Sequence, residues 1–431
     1  MNGAAPPADA AAARRVLGFW SLLTLGINGI VGVGVFFAPA ELAKVLPGGA
    51  SALAFAVTAL LLLPVAWTYG RLGSAYPEDG GPYVWAREAL GERFAFGVGF
   101  VAYASAVLST STVVSALGVY LAPELGFEST AARFVFRVLA TLLLAGITLL
   151  GLRLGAWVWS GLTLLKLLPL ALLALFALDS LRRGAPTLRF SLAGGGLWRA
   201  ALLAVFPLQG FEIVPVPAGE ARGAKRSVLM ATLLSLAFAA GLYVLLQLAC
   251  VLALPKLAES SAPIVDAGSA ITHDFGRSLF AGGANISAVG IAFGMFAMTP
   301  RYLSALGTES LLGRALSREH RGVPTLSLAI TTASVIALVS SSAVLSLMVL
   351  SSLAVLLQYA VSAVALFRLA ARGDQGLGLW DRALAPLSLL AIFVLARAAE
   401  ATEFLTLGLL LAVGFGVLRA RQALASSPRA R

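Results

Sequence analysis

Long, uninterrupted apolar stretches constrain this chain more than any other feature of its sequence. Of its 431 residues, 59% are hydrophobic and only 12% are charged, whereas a soluble domain carries about 25% charged residues. A water-soluble globular fold is therefore excluded. The stretches are continuous and rich in Leu and Ala, which favours helices over the short alternating strands of a barrel. The sequence predicts an all-α polytopic membrane protein.

Charged and turn-forming residues divide the chain into twelve predicted spans, because a membrane-crossing helix needs about 20 mainly apolar residues. Spans 1 to 12 cover residues 16–40, 48–70, 94–122, 131–151, 154–178, 197–219, 228–254, 279–307, 324–345, 348–370, 380–397 and 402–420. The longer external loops, 179–196 and 255–278, are too short for a separate domain.

Basic residues indicate how the spans are oriented. The chain has 31 Lys and Arg against 20 Asp and Glu. With a cytoplasmic N-terminus, about two thirds of the basic residues fall on the cytoplasmic side, as the positive-inside rule requires. The net charge of +11 is therefore a topology signal and does not indicate nucleic-acid binding. Both tails, 1–15 (predicted to be disordered) and 421–431, are predicted to be cytoplasmic. Arg71, Arg87 and Arg93 are predicted to form a solvated belt.

Two spans contain clusters of Gly and Pro, which are poor helix formers. In span 1 these are Gly26, Gly29, Gly32, Gly34 and Pro39; in span 6 they are Pro207, Gly210, Pro215, Pro217 and Gly219. Interrupted spans at corresponding positions of two halves point to a transporter binding site. Spans 1 and 6 are five apart, so the second copy enters the membrane from the opposite side. This predicts an inverted repeat of residues 16–178 and 197–370, followed by two further helices in 380–420.

The glycines of span 1 predict an unwound helix with Asn28 beside the break. Unwinding frees N–H groups at the start of the following half-helix, where the helix dipole also favours a carboxylate. The carbonyl groups that end the preceding half-helix can accept from an ammonium group. The alternative is close helix packing through small residues, and the matching break in span 6 favours the binding site.

Lys166 and Glu212 are ionisable residues placed inside predicted spans, where a charge is costly. Lys166 is the thirteenth residue of span 5, about 18 Å from either end at 1.5 Å per residue. It is predicted to carry a proton; the alternative is a permanently charged lysine bonded to the freed carbonyls of span 1. Glu212 follows Pro207 and Gly210, and is either a second proton-coupling residue or a hydrogen-bonding link between helices. Ser287 in span 8 is a further candidate to line the site.

No sequence pattern indicates a metal-binding or cofactor-binding site. The chain has one Cys and two His residues, which is too few for a zinc or His-rich site, and no hydrolase, metalloprotease or nucleotide-binding motif occurs. An enzyme, a metal site and a cofactor are therefore not expected.

The motifs resemble the amino acid–polyamine–organocation (APC) superfamily of transporters over residues 16–372, and more loosely beyond. Three segments carry the resemblance: the glycine motif that starts at Gly29, the segment Tyr69–Trp85 after span 2, and the segment from Gly210 in span 6. The resemblance implies the leucine-transporter (LeuT) fold and amino-acid transport. Lys166 matches a lysine that occupies a sodium site in some members and makes transport sodium-independent.

Carried over by position, the resemblance implies a substrate site built from backbone. The amides of Val33 and Gly34 would bind the substrate carboxylate, and the carbonyls of Ile30, Phe206 and Gln209 its ammonium group, with Phe206 as an aromatic gate beside Gly210. Val33 replaces the usual Ser or Thr, and Asn28 and Gln209 also depart from the common pattern, which affects substrate identity.

The sequence therefore predicts a secondary active amino-acid transporter that works by alternating access, independent of sodium and either proton-coupled or exchanging. Its partners would be an amino-acid substrate, protons and the lipid bilayer. The Arg- and Ala-rich composition favours the inner membrane of a bacterium. The alternatives are a polyamine or organic-cation transporter and, from another class, a transport-inactive membrane receptor or sensor.

Overall fold

A computed structural model of the chain is almost entirely helical. It describes residues 17–77, 81–150, 156–184, 188, 190–192, 195–218, 221, 223–308, 315–341 and 344–425. The predicted tail 1–15 lies outside these residues, as do residues 426–431 of the C-terminal tail. Within the described part, the α helices are α1 Phe19–Ile30, α2 Gly34–Val45, α3 Ala50–Ala75, α4 Pro82–Leu90, α5 Glu92–Glu124, α6 Thr130–Leu149, α7 Ala156–Arg182, α8 Leu197–Leu208, α9 Ala224–Ala253, α10 Pro263–Thr308, α11 Thr325–Ser341, α12 Val344–Arg372, α13 Leu379–Ala396 and α14 Ala401–Ala425.

Short elements connect the helices. Three-residue 3₁₀ turns lie at Phe211–Ile213, Leu257–Glu259 and Asp374–Gly376. Strands β1 (Glu319–His320) and β2 (Val323–Pro324) form an antiparallel hairpin. Its two turn residues, Arg321 and Gly322, both have positive φ angles of 52° and 74°, as the tight turns that match strand twist require.

Several helices are long and apolar enough to cross a membrane. Within the described residues they number seven, or eight if the bent pair α1 and α2 forms one span; the seven are α3, α5, α6, α9, α10, α12 and α13. The chain is therefore a multi-pass helical membrane protein. Each of the twelve predicted spans contains at least one helix, but the count of twelve crossings stays a prediction.

Helix burial separates a central helix from peripheral ones. In an apolar 18-residue stretch of α5, 83% of the residues are buried within the protein, against 28% in the corresponding stretch of α6. Helix α5 packs against α10 and α12, and α3 packs against α9 and α8. The interrupted segments contact both groups: α1 packs against α9, and α2 packs against α8 and α10.

Two helical segments depart from the predicted organisation. Residues 263–278 were predicted to belong to an external loop, but they form the first turns of α10. Pro263 occupies the first turn, where its missing N–H costs nothing, and Asp266 adds a favourable negative charge there. The second departure is α4, a nine-residue helix between spans 2 and 3 that buries Trp85.

Candidate functional site

The first predicted break separates α1 from α2. Helix α1 ends at Ile30 and α2 begins at Gly34, and the two helices are bent by 49°. The N–H of Val31 still donates to the carbonyl of Ile27 at 2.8 Å, and the N–H of Phe36 donates to the carbonyl of Val33 at 3.0 Å. Between these bonds the regular ladder stops, which leaves the N–H groups that begin α2 without intrahelical partners.

The second break follows α8. The helix ends at Leu208, and Gly210 then adopts φ +122°, a conformation that strongly favours glycine. The N–H of Gly210 donates to Glu212 Oε2 at 2.7 Å. In a continuous helix the same N–H would donate to the carbonyl of Phe206. The Glu212 carboxylate therefore accepts from the N–H of Gly210, which in a regular helix would donate to the Phe206 carbonyl.

The two breaks meet backbone to backbone. A Cβ atom at Gly29 would lie 2.9 Å from the carbonyl oxygen of Gly210, and one at Gly210 would collide with the backbone of Gly29. A Cβ atom at Gly34 would lie 3.1 Å from Cα of Pro207. Glycine is therefore required where the segments cross, because only it permits this approach.

Lys166 is 3% exposed and reaches the first break from α7. Its Nζ donates to Asn28 Oδ1 at 2.6 Å, to the carbonyl of Val31 at 2.6 Å and to the carbonyl of Asn28 at 3.3 Å. All three ammonium donors are thus directed at the end of α1. This geometry matches the alternative in which Lys166 stabilises freed carbonyls, and it also identifies Asn28 as its side-chain partner.

Glu212 lies at the centre of a buried aromatic and polar cluster. Tyr359 of α12 donates its hydroxyl to Glu212 Oε2 at 2.8 Å. The Tyr359 ring packs against Tyr69 and Phe211, with centroids 5.2 and 5.4 Å apart, and the Tyr69 hydroxyl accepts from Gln358 Nε2 at 3.1 Å. The cluster joins span 6 to α3 and α12, as expected for a hydrogen-bonding link between helices.

The side chain of Gln209, which follows α8, reaches α5 and α12. Its Nε2 donates to Ser109 Oγ of α5 and to Ser351 Oγ of α12, both at 3.3 Å, and these two hydroxyls are 2.7 Å apart. Its Oε1 is buried and has no hydrogen-bond partner among the described residues. Sequence reasoning missed both serines, although the polar run Ser109–Thr112 inside span 3 was a signal for the first and the pair Ser351 and Ser352 inside span 10 for the second.

The other predicted site residues lie in separate helical segments and each has its own surroundings. The carbonyl of Ile30, expected to bind an ammonium group, accepts from the Tyr243 hydroxyl at 2.8 Å. Val33 is buried at the start of α2. The Phe206 ring, 5% exposed, lies 6.0 Å from that of Phe37. Ser287 is buried in α10, and its hydroxyl has no partner in the described part of the chain.

Across the described residues, no group of three or more His, Cys, Asp or Glu side chains could hold a metal ion. The geometry offers main-chain groups, one buried cation and one carboxylate within a helical membrane protein. These features describe a multi-pass helical membrane protein with two interrupted helical segments.

Comparison with known proteins identifies the family. Residues 17–423 match the amino acid permease family model, so the chain belongs to this family within the APC superfamily. It is 24% identical to human cationic amino acid transporter 4, with 71% of this chain and 52% of the relative aligned, so the match spans about half of that protein. Two Bacillus subtilis relatives are each 26% identical to this chain. The alignment with the serine/threonine exchanger SteT covers 66% of this chain and 64% of the relative, and that with the branched-chain amino acid permease BcaP covers 71% and 70%, respectively.

Proposed function

We propose that this protein is a secondary active transporter of amino acids that works by alternating access. One observation carries the proposal: two interrupted helices cross with their backbones in contact at Gly29 and Gly210. Such a crossing gathers helix ends of both polarities at one place, which suits a solute that carries both an ammonium group and a carboxylate.

The proposed substrate site uses main-chain groups at the two breaks. The amides of Val33 and Gly34 would bind the carboxylate, because they begin α2 and the positive end of its dipole faces the break. The carbonyls of Ile30, Phe206 and Gln209 would bind the ammonium group. Binding at Ile30 shares the carbonyl with the Tyr243 hydroxyl, which a carbonyl with two lone pairs permits.

The remaining site residues have supporting roles in this proposal. Gly210 permits the crossing, and Phe206 closes over the substrate. Asn28 positions Lys166, and the unpartnered Ser287 hydroxyl is available to a polar solute.

The proposed movement follows from the inverted repeat of residues 16–178 and 197–370 within twelve spans. We define the bundle as spans 1, 2, 6 and 7, which correspond to α1 with α2, α3, α8 and α9. Rocking of the bundle against the other helices would open the site to either side. Both termini would lie in the cytoplasm, and the membrane would be the inner membrane of a bacterium.

Lys166 supports a sodium-independent mechanism, because its ammonium group already binds two main-chain carbonyls at the first break. A cation held there by the protein removes the need for a bound metal ion. The proposed coupling is therefore to protons or to exchange of one amino acid for another, with Lys166 and Glu212 as the residues that carry protons.

The alternatives differ in what they require. A polyamine or organic-cation carrier needs acidic groups in its cavity, and the carboxylate near the crossing is that of Glu212, which already accepts from Gly210 and Tyr359. A receptor or sensor would bind an amino acid without moving it. The named relatives act on cationic, hydroxyl-bearing and branched-chain amino acids, so all three classes belong in the test.

The test combines binding with uptake. Purified protein is heated with each standard amino acid and with putrescine, and the ligands that raise its melting temperature are then offered to proteoliposomes with and without an inward pH gradient. Amino-acid uptake supports the proposal, and stabilisation only by putrescine favours the organic-cation alternative. Stabilisation by an amino acid without uptake or exchange favours a receptor.

Glu212→Gln should preserve uptake without a pH gradient and lose the acceleration that a gradient gives. The amide oxygen can still accept from Gly210 N–H and the Tyr359 hydroxyl, but the amide is not titratable, so it cannot take up and release a proton during transport. We expect uptake within about fivefold of the parent when the pH is equal on both sides, since a neutral hydrogen bond is worth about 1 kcal/mol.

Glu259→Gln is the matched control, because Glu259 is exposed and pairs only with Lys256 in the described structure. It should retain the full response to the gradient. Gradient-driven uptake that persists in Glu212→Gln would show that Glu212 is a hydrogen-bonding link and carries no proton.

A further inference from the structure

Two arginine–carboxylate pairs attach the C-terminal helices to the bundle. The first joins α3 to the start of α13. Arg71 Nε and Nη2 donate to the two oxygens of Asp381, both at 2.8 Å, and Nη2 also donates to the carbonyl of Gly376 at 3.0 Å. Arg71 was predicted to lie in a solvated, lipid-facing belt; its side chain is 22% exposed and binds Asp381, which is 2% exposed.

Asp381 is fully engaged by this arrangement. Besides Arg71, it accepts from Trp67 Nε1 and from the N–H of Gly378, each at 2.9 Å. Removing one partner of such a pair leaves a buried charge unsatisfied. Separation of α3 from α13 is therefore strongly opposed at this end.

The second pair lies at the other end of α13. Arg199 of α8 donates to both oxygens of Glu403 at 2.6 and 2.7 Å, and to the carbonyl of Ala398 in the turn after α13 at 3.4 Å. The guanidinium of Arg397 lies 5.9 Å from the ring centre of Trp198. Glu403 lies in α14, so at this end α13 is held through Arg397 and through the Ala398 carbonyl in the turn that follows it. An 18-residue helix is about 27 Å long, so these contacts and the Arg71–Asp381 pair lie near opposite faces of the membrane.

A third contact lies between the two ends, where the hydroxyls of Thr68 and Ser388 are 3.1 Å apart. On its other side, α13 packs along α12. The charged contact found there is the Arg382 guanidinium, 5.7 Å from the Phe367 ring centre. No side-chain hydrogen bond joins α12 to α13 within the parts of these helices that the structure describes. Helix α12 is hydrogen-bonded to α3 through Gln358 and to Glu212 through Tyr359, so movement of the bundle against α12 must exchange these bonds, whereas it breaks none between α12 and α13.

We infer that α13 and the turn after it move as part of the bundle, and that the α12–α13 contact is the surface that slides. The inference rests on the proposed alternating access, because it concerns how the parts divide during that movement. Arg71 and Arg199 are then positioning residues that carry the movement of α3 and α8 to the C-terminal helices.

Cross-linking tests the α3–α13 contact and the α12–α13 contact separately. In a Cys250→Ala background, which removes the single cysteine, Thr68→Cys with Ser388→Cys forms a disulfide between α3 and α13 on oxidation. Phe367→Cys with Arg382→Cys is joined by a bis-maleimide between α12 and α13. Uptake of tritiated serine, lysine and leucine into proteoliposomes is measured before and after each treatment.

The α3–α13 disulfide should leave at least half of the uptake, and the α12–α13 link should reduce it at least tenfold. Any other pattern overturns the inference. Uptake before cross-linking tests the proposed function separately, because a protein that moves no amino acid fails at that stage.

Spin-label distances keep the inference testable if uptake is absent. The pair Leu60→Cys and Phe393→Cys reports α3 against α13, and the pair Val364→Cys and Phe393→Cys reports α12 against α13; all three positions are exposed. On addition of an equimolar mixture of L-amino acids, the first distance should stay constant while the second changes. A change in the first distance, or constancy of both, overturns the inference.

Discussion

Lys166→Ala should reduce amino-acid uptake at least 100-fold. The substitution removes the donor shared by the carbonyls of Val31 and Asn28, which lie at the end of α1. Leaving a buried acceptor unsatisfied costs about 1–3 kcal/mol, and the first break would change shape to recover partners. The measurement is initial uptake into proteoliposomes of each amino acid that stabilises the parent protein.

Lys166→Arg separates the two roles considered for this residue. Arginine keeps a cation near the break but stays protonated in proteins. If Lys166 carries the coupled proton, Lys166→Arg should still bind substrate and lose its acceleration by an inward pH gradient. Full gradient-driven uptake in this variant would leave Lys166 as a structural cation.

Lys44→Ala is the matched control for Lys166→Ala. Lys44 is an exposed lysine near the end of α2 that pairs with Glu41 at 2.7 Å, and an exposed pair contributes little. Uptake should change less than twofold. Unchanged, pH-dependent uptake in Lys166→Ala would overturn the proton-coupling proposal.

Local sequence signals predicted which spans contain the breaks. Gly and Pro are poor helix formers, and the interruptions at Gly29–Gly34 and after Pro207 lie within the two predicted clusters. Residue type alone does not fix the position of a break, because Pro39 and Pro64 lie inside continuous helices. The burial of Lys166 was equally predictable, since a lysine at mid-span has no route to water except through the protein.

Contacts between distant segments were not predictable in this way. Asn28 and Lys166 are 138 positions apart, and Arg71 and Asp381 are 310 apart. Composition and periodicity describe one element at a time, whereas these partners depend on how helices pack. Arg71 looked like one of several flanking basic residues because its partner lies in another span.

The start of α10 shows a related limit. Residues 263–278 contain Gly, Ser and charged residues, which indicated a loop. Ile264, Val265 and Ala267 are nevertheless buried, and this packing stabilises helix where composition alone does not, since tertiary contacts supply most helical stability.

Gly34→Leu should abolish measurable substrate binding while leaving the protein folded. A Cβ atom at position 34 would already lie 3.1 Å from Phe206 Cδ1 and from Cα and Cβ of Pro207. The larger leucine side chain would separate the two interrupted segments or occupy the space between them. Either change displaces the N–H groups of α2 from the proposed carboxylate site. We expect a loss of affinity of at least 100-fold, measured by ligand-induced thermal shift and equilibrium binding.

Gly146→Leu is the matched control, because an added Cβ at this exposed position of α6 meets nothing within 4 Å. It should bind substrate like the parent. Gly34→Ala should have an intermediate affinity for substrate, because its Cβ would be in tight contact with the Pro207 backbone but the side chain has no atoms beyond Cβ.

The series Gly34→Ala and Gly34→Leu distinguishes two explanations. A general packing defect at Gly34 would lower the melting temperature of the ligand-free protein together with its affinity for substrate. A specific carboxylate site would lose affinity first. Retained affinity in Gly34→Leu would place the carboxylate site elsewhere, whatever the stability of that variant.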